Sequence, residues 1–173
     1  MNEHSPRFWK IFFELYESLP RQGPGNRECT ARALHLCTGL PRAPRIADLG
    51  CGVGGQTLHL ADLTTGSIVA VDSHAPSIER LKATLAARGL SQRVQAQVGD
   101  MAHLELPPES YDLVWSEGAL YNIGIGSALR ICHGLLRPGG YLAFTDAVWR
   151  KENPPPEVEA SFDLDYPAMG TAT

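Results

Sequence analysis

Ile46-Ala47-Asp48-Leu49-Gly50-Cys51-Gly52-Val53-Gly54-Gly55-Gln56-Thr57 is the stretch whose reading decides the fold. Its apolar start has the length of a buried strand, and four glycines between positions 50 and 55 follow directly. Glycine tolerates the positive φ of a tight turn and leaves room where a Cβ would collide with a ligand. A helix opening at the end of that turn presents unpaired N–H groups and the positive end of its dipole to whatever the turn holds. A second apolar run, Ser67-Ile68-Val69-Ala70-Val71-Asp72, ends on an acid about 20 residues after the loop, the spacing at which a carboxylate grips the hydroxyls of a ribose. Together they predict a site for an adenosine-containing cofactor.

Gly50, Gly52 and Gly55 satisfy G-x-G-x-x-G, a pattern that is weak alone and common to dinucleotide-binding folds. Two neighbours argue for a different ligand. Asp48 places a carboxylate at the strand end beside the loop, which suits a ligand carrying an ammonium or sulfonium better than a pyrophosphate. Val98-Gly99-Asp100-Met101 ends a third strand with an acid able to accept from an adenine amino group and an apolar side chain to pack on the ring.

With Asp48, Gly50, Gly52, Gly54, Asp72, Asp100 and Tyr111-Asp112-Leu113-Val114-Trp115 in this order, the sequence resembles the class I S-adenosylmethionine-dependent methyltransferases over Ile46 to Ala147. Ser116-Glu117-Gly118-Ala119-Leu120-Tyr121-Asn122-Ile123-Gly124, with Gln22-Gly23-Pro24-Gly25, is similar to a subgroup of small bacterial members, many of unassigned substrate. The resemblance implies S-adenosylmethionine as cofactor and S-adenosylhomocysteine as product. It implies cofactor contacts from Asp48, Gly50, Cys51, Gly52, Gly54, Gln56, Asp72, Ser73, Asp100, Met101 and Glu117. Asp48 is expected at the amino group of the methionine moiety, directly or through water, or else in a hydrogen bond that shapes the loop. Glu117 is expected to orient the methionine portion or to act as general base, and Tyr121 and Asn122 to face the acceptor. The Asn/Asp-Pro-Pro-aromatic tetrad used on exocyclic base and amide nitrogens is absent; Ser116 to Ala119 stand in its place. A small-molecule acceptor follows as the expectation, its methylated atom being O, N, S or C.

At 173 residues the chain has room for one domain with a real core, and 43% hydrophobic with 20% charged residues is a globular composition. A net charge of -4 and no basic run argue against a nucleic-acid partner. Cys29, Cys37, Cys51 and Cys132 lack C-x-x-C spacing, so neither a metal site nor a disulfide framework is expected, and reduced cytoplasmic thiols are. No signal peptide and no membrane span are read from the apolar pattern.

Elsewhere the pattern predicts strands near 45–49, 67–72, 93–98, 111–116 and 140–146, and helices near 54–63, 76–88 and 125–136. Ser5-Pro6 opens an N-terminal helix whose Trp9, Phe12, Phe13 and Tyr16 form an aromatic stripe, read as a lid packing on the fold. Tyr16 or Trp9 is a candidate to close over a sulfonium. A second helix is expected over Arg27 to Thr38. Arg137-Pro138-Gly139-Gly140 reads as a turn. Alternating strands and helices imply an α/β fold: a doubly wound, mostly parallel, Rossmann-like sheet. The expected organisation is a helical cap over 1–40, a cofactor-binding core over 41–150 and a Pro-rich extended tail over 151–173.

The family's two terminal antiparallel strands have no counterpart after 146, so the chain reads as a fragment or as a naturally short form. The strand 140–146 is then an open edge, expected to recruit a second copy as a homodimer or to be covered by the tail. Two other readings stand beside methyl transfer. One is a nicotinamide or flavin oxidoreductase, and the other is a non-catalytic S-adenosylmethionine-binding module.

Overall fold

The computed structural model describes residues 5–19, 21–162, 166 and 169–172. Two helices lead in, α1 (Pro6–Ser18) and α2 (Arg27–Leu36), followed by β1 (Arg45–Leu49), α3 (Gly55–Leu63), β2 (Ser67–Asp72), α4 (Ala75–Ala87) and β3 (Val94–Val98). The chain then forms β4 (Tyr111–Glu117), a 3-10 turn over Leu120–Ile123, α5 (Ile125–Leu135), β5 (Leu136–Thr145) and α6 (Pro156–Phe162). The helix starts obey local chemistry. Ser5 accepts the Phe8 N–H at 3.1 Å and Asn26 accepts the Cys29 N–H at 2.9 Å, each satisfying a donor the helix cannot.

All strands are parallel, in the order β3-β2-β1-β4-β5. Because side chains alternate along a strand, β1 sends Ile46 to one face and Ala47 and Leu49 to the other. Ile46, Ile68, Leu113 and Trp115 meet Leu60 of α3 and Ile78, Leu81 and Leu85 of α4. Ala47, Leu49, Val71 and Val114 meet Ala128, Cys132 and Leu135 of α5. Helices on both faces explain why β1 and β4 read as nearly unbroken apolar runs. From β1 the chain steps outward through β2 to β3, then returns to place β4 on the other side of β1. The resulting crevice beyond the ends of β1 and β4 is where open α/β sheets hold ligands.

Two expectations change. The turn at 137–140 does not precede β5 but interrupts it: Leu136 pairs with Tyr111 and Tyr141 with Leu113, so the residues between them bulge out. Gly139, at φ 80°, makes the bend, and Arg137 from the bulge pairs with the buried Asp112, which also accepts the Arg45 N–H at 2.7 Å. The tail, expected to be extended, contains the helix α6, whose first residue is Pro156 and which carries Glu157 and Glu159 in its first turn, both favoured at a helix start. No helix among the described residues is long and apolar enough to cross a membrane.

Candidate functional site

The loop after β1 is held open by its backbone. Gly50, Gly52 and Gly54 have φ of 73°, 52° and 86°. A Cβ on Gly50 would lie 2.3 Å from the Cβ of Ala119, and one on Gly54 would lie 2.2 Å from Leu81 Cδ1. Glycine is required at both positions by conformation and by space. Gly54 caps α3 with no side chain, so its first-turn N–H groups have no capping partner from it.

Asp72 ties the end of β2 to this loop. Its Oδ2 accepts the Gly52 N–H at 2.8 Å and its Oδ1 accepts the His74 N–H at 2.8 Å. A carboxylate has about four acceptor positions, so this backbone anchoring leaves capacity for a diol. Ser73 beside it is exposed. At the end of β3, Asp100 is 58% exposed and bonds the Ala102 N–H and His103 Nδ1. Those hydrogen bonds, His103 first, hold its carboxyl below the usual range. Met101 reaches back to the loop, its Cε 3.3 Å from where a Gly50 Cβ would stand.

Asp48 is enclosed, 2% exposed, with its Oδ2 accepting the Thr57 hydroxyl at 2.6 Å. Burial pushes its pKa up to about 7, against the Thr57 bond and with help from the negative charges of Glu117 and Asp72. Of the two arrangements expected for Asp48, the hydrogen bond that shapes the loop is present. Cys51 is buried next to it, its thiol pushed well up by burial and then by the charges of Asp48 and Asp72.

Glu117, at the end of β4, sits in a network that crosses three elements. Oε2 accepts from Gln56 Nε2 at 2.6 Å and lies 3.6 Å from the Arg21 guanidinium, while Oε1 accepts the Trp115 indole N–H at 3.0 Å. The side chain is 8% exposed. Gln22 adds a wedge: its Oε1 accepts the Val53 N–H at 3.2 Å and would stand 2.6 Å from a Gly52 Cβ. No local periodicity marks Arg21, Gln22, Thr57 or the Trp115 indole for this network, although Gln22 opens the family-like segment Gln22-Gly23-Pro24-Gly25.

Tyr121 and Asn122 lie beyond the end of β4, and the α1 stripe lies against the start of α4. Tyr121, in the 3-10 turn, packs its ring 5.2 Å from that of Tyr166. Tyr166 in turn donates to Asp146 Oδ2 at 2.6 Å. Asn122 bonds the Ala119 carbonyl. The α1 stripe leans on the start of α4: Phe13 stacks on His74 at 4.5 Å, and Glu17 lies 3.3 Å from His74 Nε2. No described α1 residue is fully buried: Phe12 and Tyr16 are half-buried and Trp9 and Phe13 exposed, so the stripe leans on the fold without being sealed into it.

The arrangement is a glycine-lined loop with four carboxylates around it, those of Asp48, Asp72, Asp100 and Glu117, built at a sheet switch point. A methyltransferase domain model matches residues 46–140, more than half of the chain. The chain belongs to the methyltransferase domain family. It is 31% identical over 114 residues to a dimethylglycine N-methyltransferase of Parasynechococcus marenigrum, covering 65% of this chain and 41% of that protein. Among solved structures, YjhP from E. coli superposes with a TM-score of 0.77 at 22% identity, covering 94% of this chain and 66% of that one. A SAM-dependent methyltransferase from Geobacter sulfurreducens, in complex with S-adenosyl-L-homocysteine, gives 0.76 at 21% identity, covering 94% and 65%. The chain spans between 29% and 41% of the length of the first curated relatives it matches.

Proposed function

We propose that this protein transfers a methyl group from S-adenosylmethionine to a small-molecule acceptor. The observation that carries the proposal is the loop Gly50–Gly54, whose open backbone is latched by Asp72 at the end of β2. The residues fit the cofactor: the glycines leave the space, Asp72 keeps acceptor capacity for ribose hydroxyls, and Asp100 with Met101 offers an acceptor and an apolar contact for adenine.

When bound, the cofactor supplies a methyl already activated on a sulfonium, so the protein's work is positioning and exclusion of water. Asp48 is assigned to the loop through Thr57, and Glu117 with Gln56 to the methionine end. Glu117 is spanned by three donors, which supports an orienting role over that of a general base. Glu117→Gln should therefore weaken cofactor binding; a loss of turnover alone, with affinity intact, would return it to the role of base. Tyr121 is assigned to the acceptor wall. The acidic balance of the chain supports a small acceptor over a nucleic acid.

Calorimetric titration tests the reading. S-adenosylmethionine and S-adenosylhomocysteine should bind and NAD should not; the reverse would establish the oxidoreductase reading. Binding without methyl uptake by any acceptor in a metabolite screen would favour a non-catalytic module. The edge of β5 beyond Tyr141 has no strand partner other than β4 among the described residues, which supports a second copy there, and light scattering decides it.

A further inference from the structure

Beside the glycine loop, whose Gly55 is part of its lining, an open cavity of ≈ 550 Å³ lies between the start of α2 and the outer face of α3. Arg21, Arg27 and Arg88 line it together with His59, against a single carboxylate, Asp62. That is a concentration of positive charge in a chain whose net charge is -4. The guanidinium groups are not all accounted for. Arg88 bonds Asp62 at 2.7 Å, and Arg21 is divided between the Gly23 and Pro24 carbonyls and Glu117. Arg27 makes no ion pair with a described residue. His59 Nδ1 is buried and has no hydrogen-bond partner among the described residues. The imidazole is held below its usual pKa, by burial first and then by Arg21, with Arg27 adding to it, while Glu117 and Asp62 oppose. Of the three guanidinium groups, that of Arg27 is the one no described carboxylate neutralises.

We propose that this cavity binds a phosphate-type oxyanion, either free phosphate or the phosphomonoester end of a small molecule. Arg27 is the primary partner, Arg88 shares its second face from the Asp62 pair, and the His59 imidazole beside them senses the added charge. Guanidinium forks match the oxygens of phosphate in a way that a point charge does not. The cavity borders the cofactor loop at Gly55 and shares Arg21 with the Glu117 network, but Arg27 and His59 have no part in the proposed methyl transfer, so a test on those two residues does not depend on it.

The test is the imidazole signal of His59 in proton NMR, assigned by its disappearance in His59→Gln. Inorganic phosphate at constant ionic strength should move it saturably and raise its titration midpoint, because a bound anion favours the imidazolium. Arg27→Ala, at an exposed position, should weaken that binding by about tenfold or more. Arg27→Lys, which keeps the charge and loses the fork, should fall between. Methyl phosphate separates the sources: tighter binding than inorganic phosphate marks the end of an esterified ligand, and equal or weaker binding marks free phosphate. An unmoved His59 signal, an equal shift with chloride, or unchanged binding in Arg27→Ala overturns the proposal.

Discussion

The crevice has two sides, and they are built to different tolerances. On the side of β1 and β2, the glycine loop, Asp48, Asp72, Thr57 and Gln22 interlock through bonds of 2.6 to 3.2 Å, and Asp48 and Thr57 are buried. On the side of β5, the strand carries a bulge, lies half-buried at the sheet edge and passes into a tail fixed by few contacts. One side is a preformed mould and the other a boundary. The difference fits a cofactor that is the same in every cycle set against an acceptor that differs among relatives, since fold alone does not dictate the acceptor.

The sharpest way to break the comparison is to put the same substitution on both sides. Gly50→Ala places a Cβ at positive φ and 2.3 Å from Ala119. Left-handed strain and overpacking together should cost about 2–5 kcal/mol of stability. Gly139→Ala also has positive φ, but nothing lies within 4 Å of its Cβ. It should cost only the strain, about 1–2 kcal/mol. Denaturant unfolding of both variants measures the gap, and equal losses would mean that the loop is no tighter than the bulge.

Asp48 gives the mould a pH signature. Its folded pKa of about 7 stands above the ordinary 3.8. The protonated form is therefore favoured by folding, and its contribution is complete below pH 3.8 and lost as pH rises through 7. Over that window the contribution should fall by up to roughly 4 kcal/mol. Asp48→Asn is neutral throughout and its amide oxygen can still accept from Thr57. It should be matched with the wild type in acid and more stable above pH 7. Parallel stability curves for the two proteins would show that Asp48 is not held protonated.

Asp72 tests whether the mould is for a ribose. Asp72→Ala, if it folds, should weaken S-adenosylhomocysteine binding by roughly 1–3 kcal/mol, the cost of hydroxyls left without their acceptor. Calorimetry reads this directly, and Asp72→Asn, which keeps one backbone acceptor, separates the ligand's loss from the loop's. Unchanged affinity in either folded variant would restrict Asp72 to latching Gly52.

The same asymmetry governs how much the sequence discloses. The glycine loop, the acids ending β2 and β3, and the order of strands are all local patterns, in which a few neighbouring residues determine a turn or a buried run. The Arg21–Glu117–Gln56 network is not local. Its members come from the loop after α1, the end of β4 and the start of α3, and none has a spacing that points to the others. The β5 bulge was legible as a turn but not as an interruption, because only the pairing of Tyr111 with Leu136 reveals strand before it. The aromatic stripe of α1 is visible in the sequence, yet how far it is buried depends on the body beneath it, where His74 stacks on Phe13 and Arg80 takes the Glu17 and Leu19 carbonyls.

The smallest predicted effect belongs to the boundary side and concerns the tail. Tyr166 is 9% exposed, its hydroxyl donates to Asp146 at 2.6 Å, and burial followed by that carboxylate pushes its pKa up to about 12. Farther along, the Trp149 N–H bonds the Gly170 carbonyl and the Ala172 N–H bonds the Trp149 carbonyl, forming a single parallel bridge. The tail is thus clasped just past the end of β5, and none of its described residues pairs with the strand's outer edge. Tyr166→Phe keeps the ring against Tyr121 and removes only the hydroxyl, so it should cost about 1 kcal/mol. That loss should act on the clasp and not on the sheet, since local openings have their own free energies below the global one. Hydrogen exchange at Trp149 and Ala172 should speed up by about fivefold, with β1 and β4 unchanged and global unfolding shifted little. If exchange in the central strands rises together with that of the clasp, the tail is part of the same cooperative unit as the glycine loop, and the division between mould and boundary disappears.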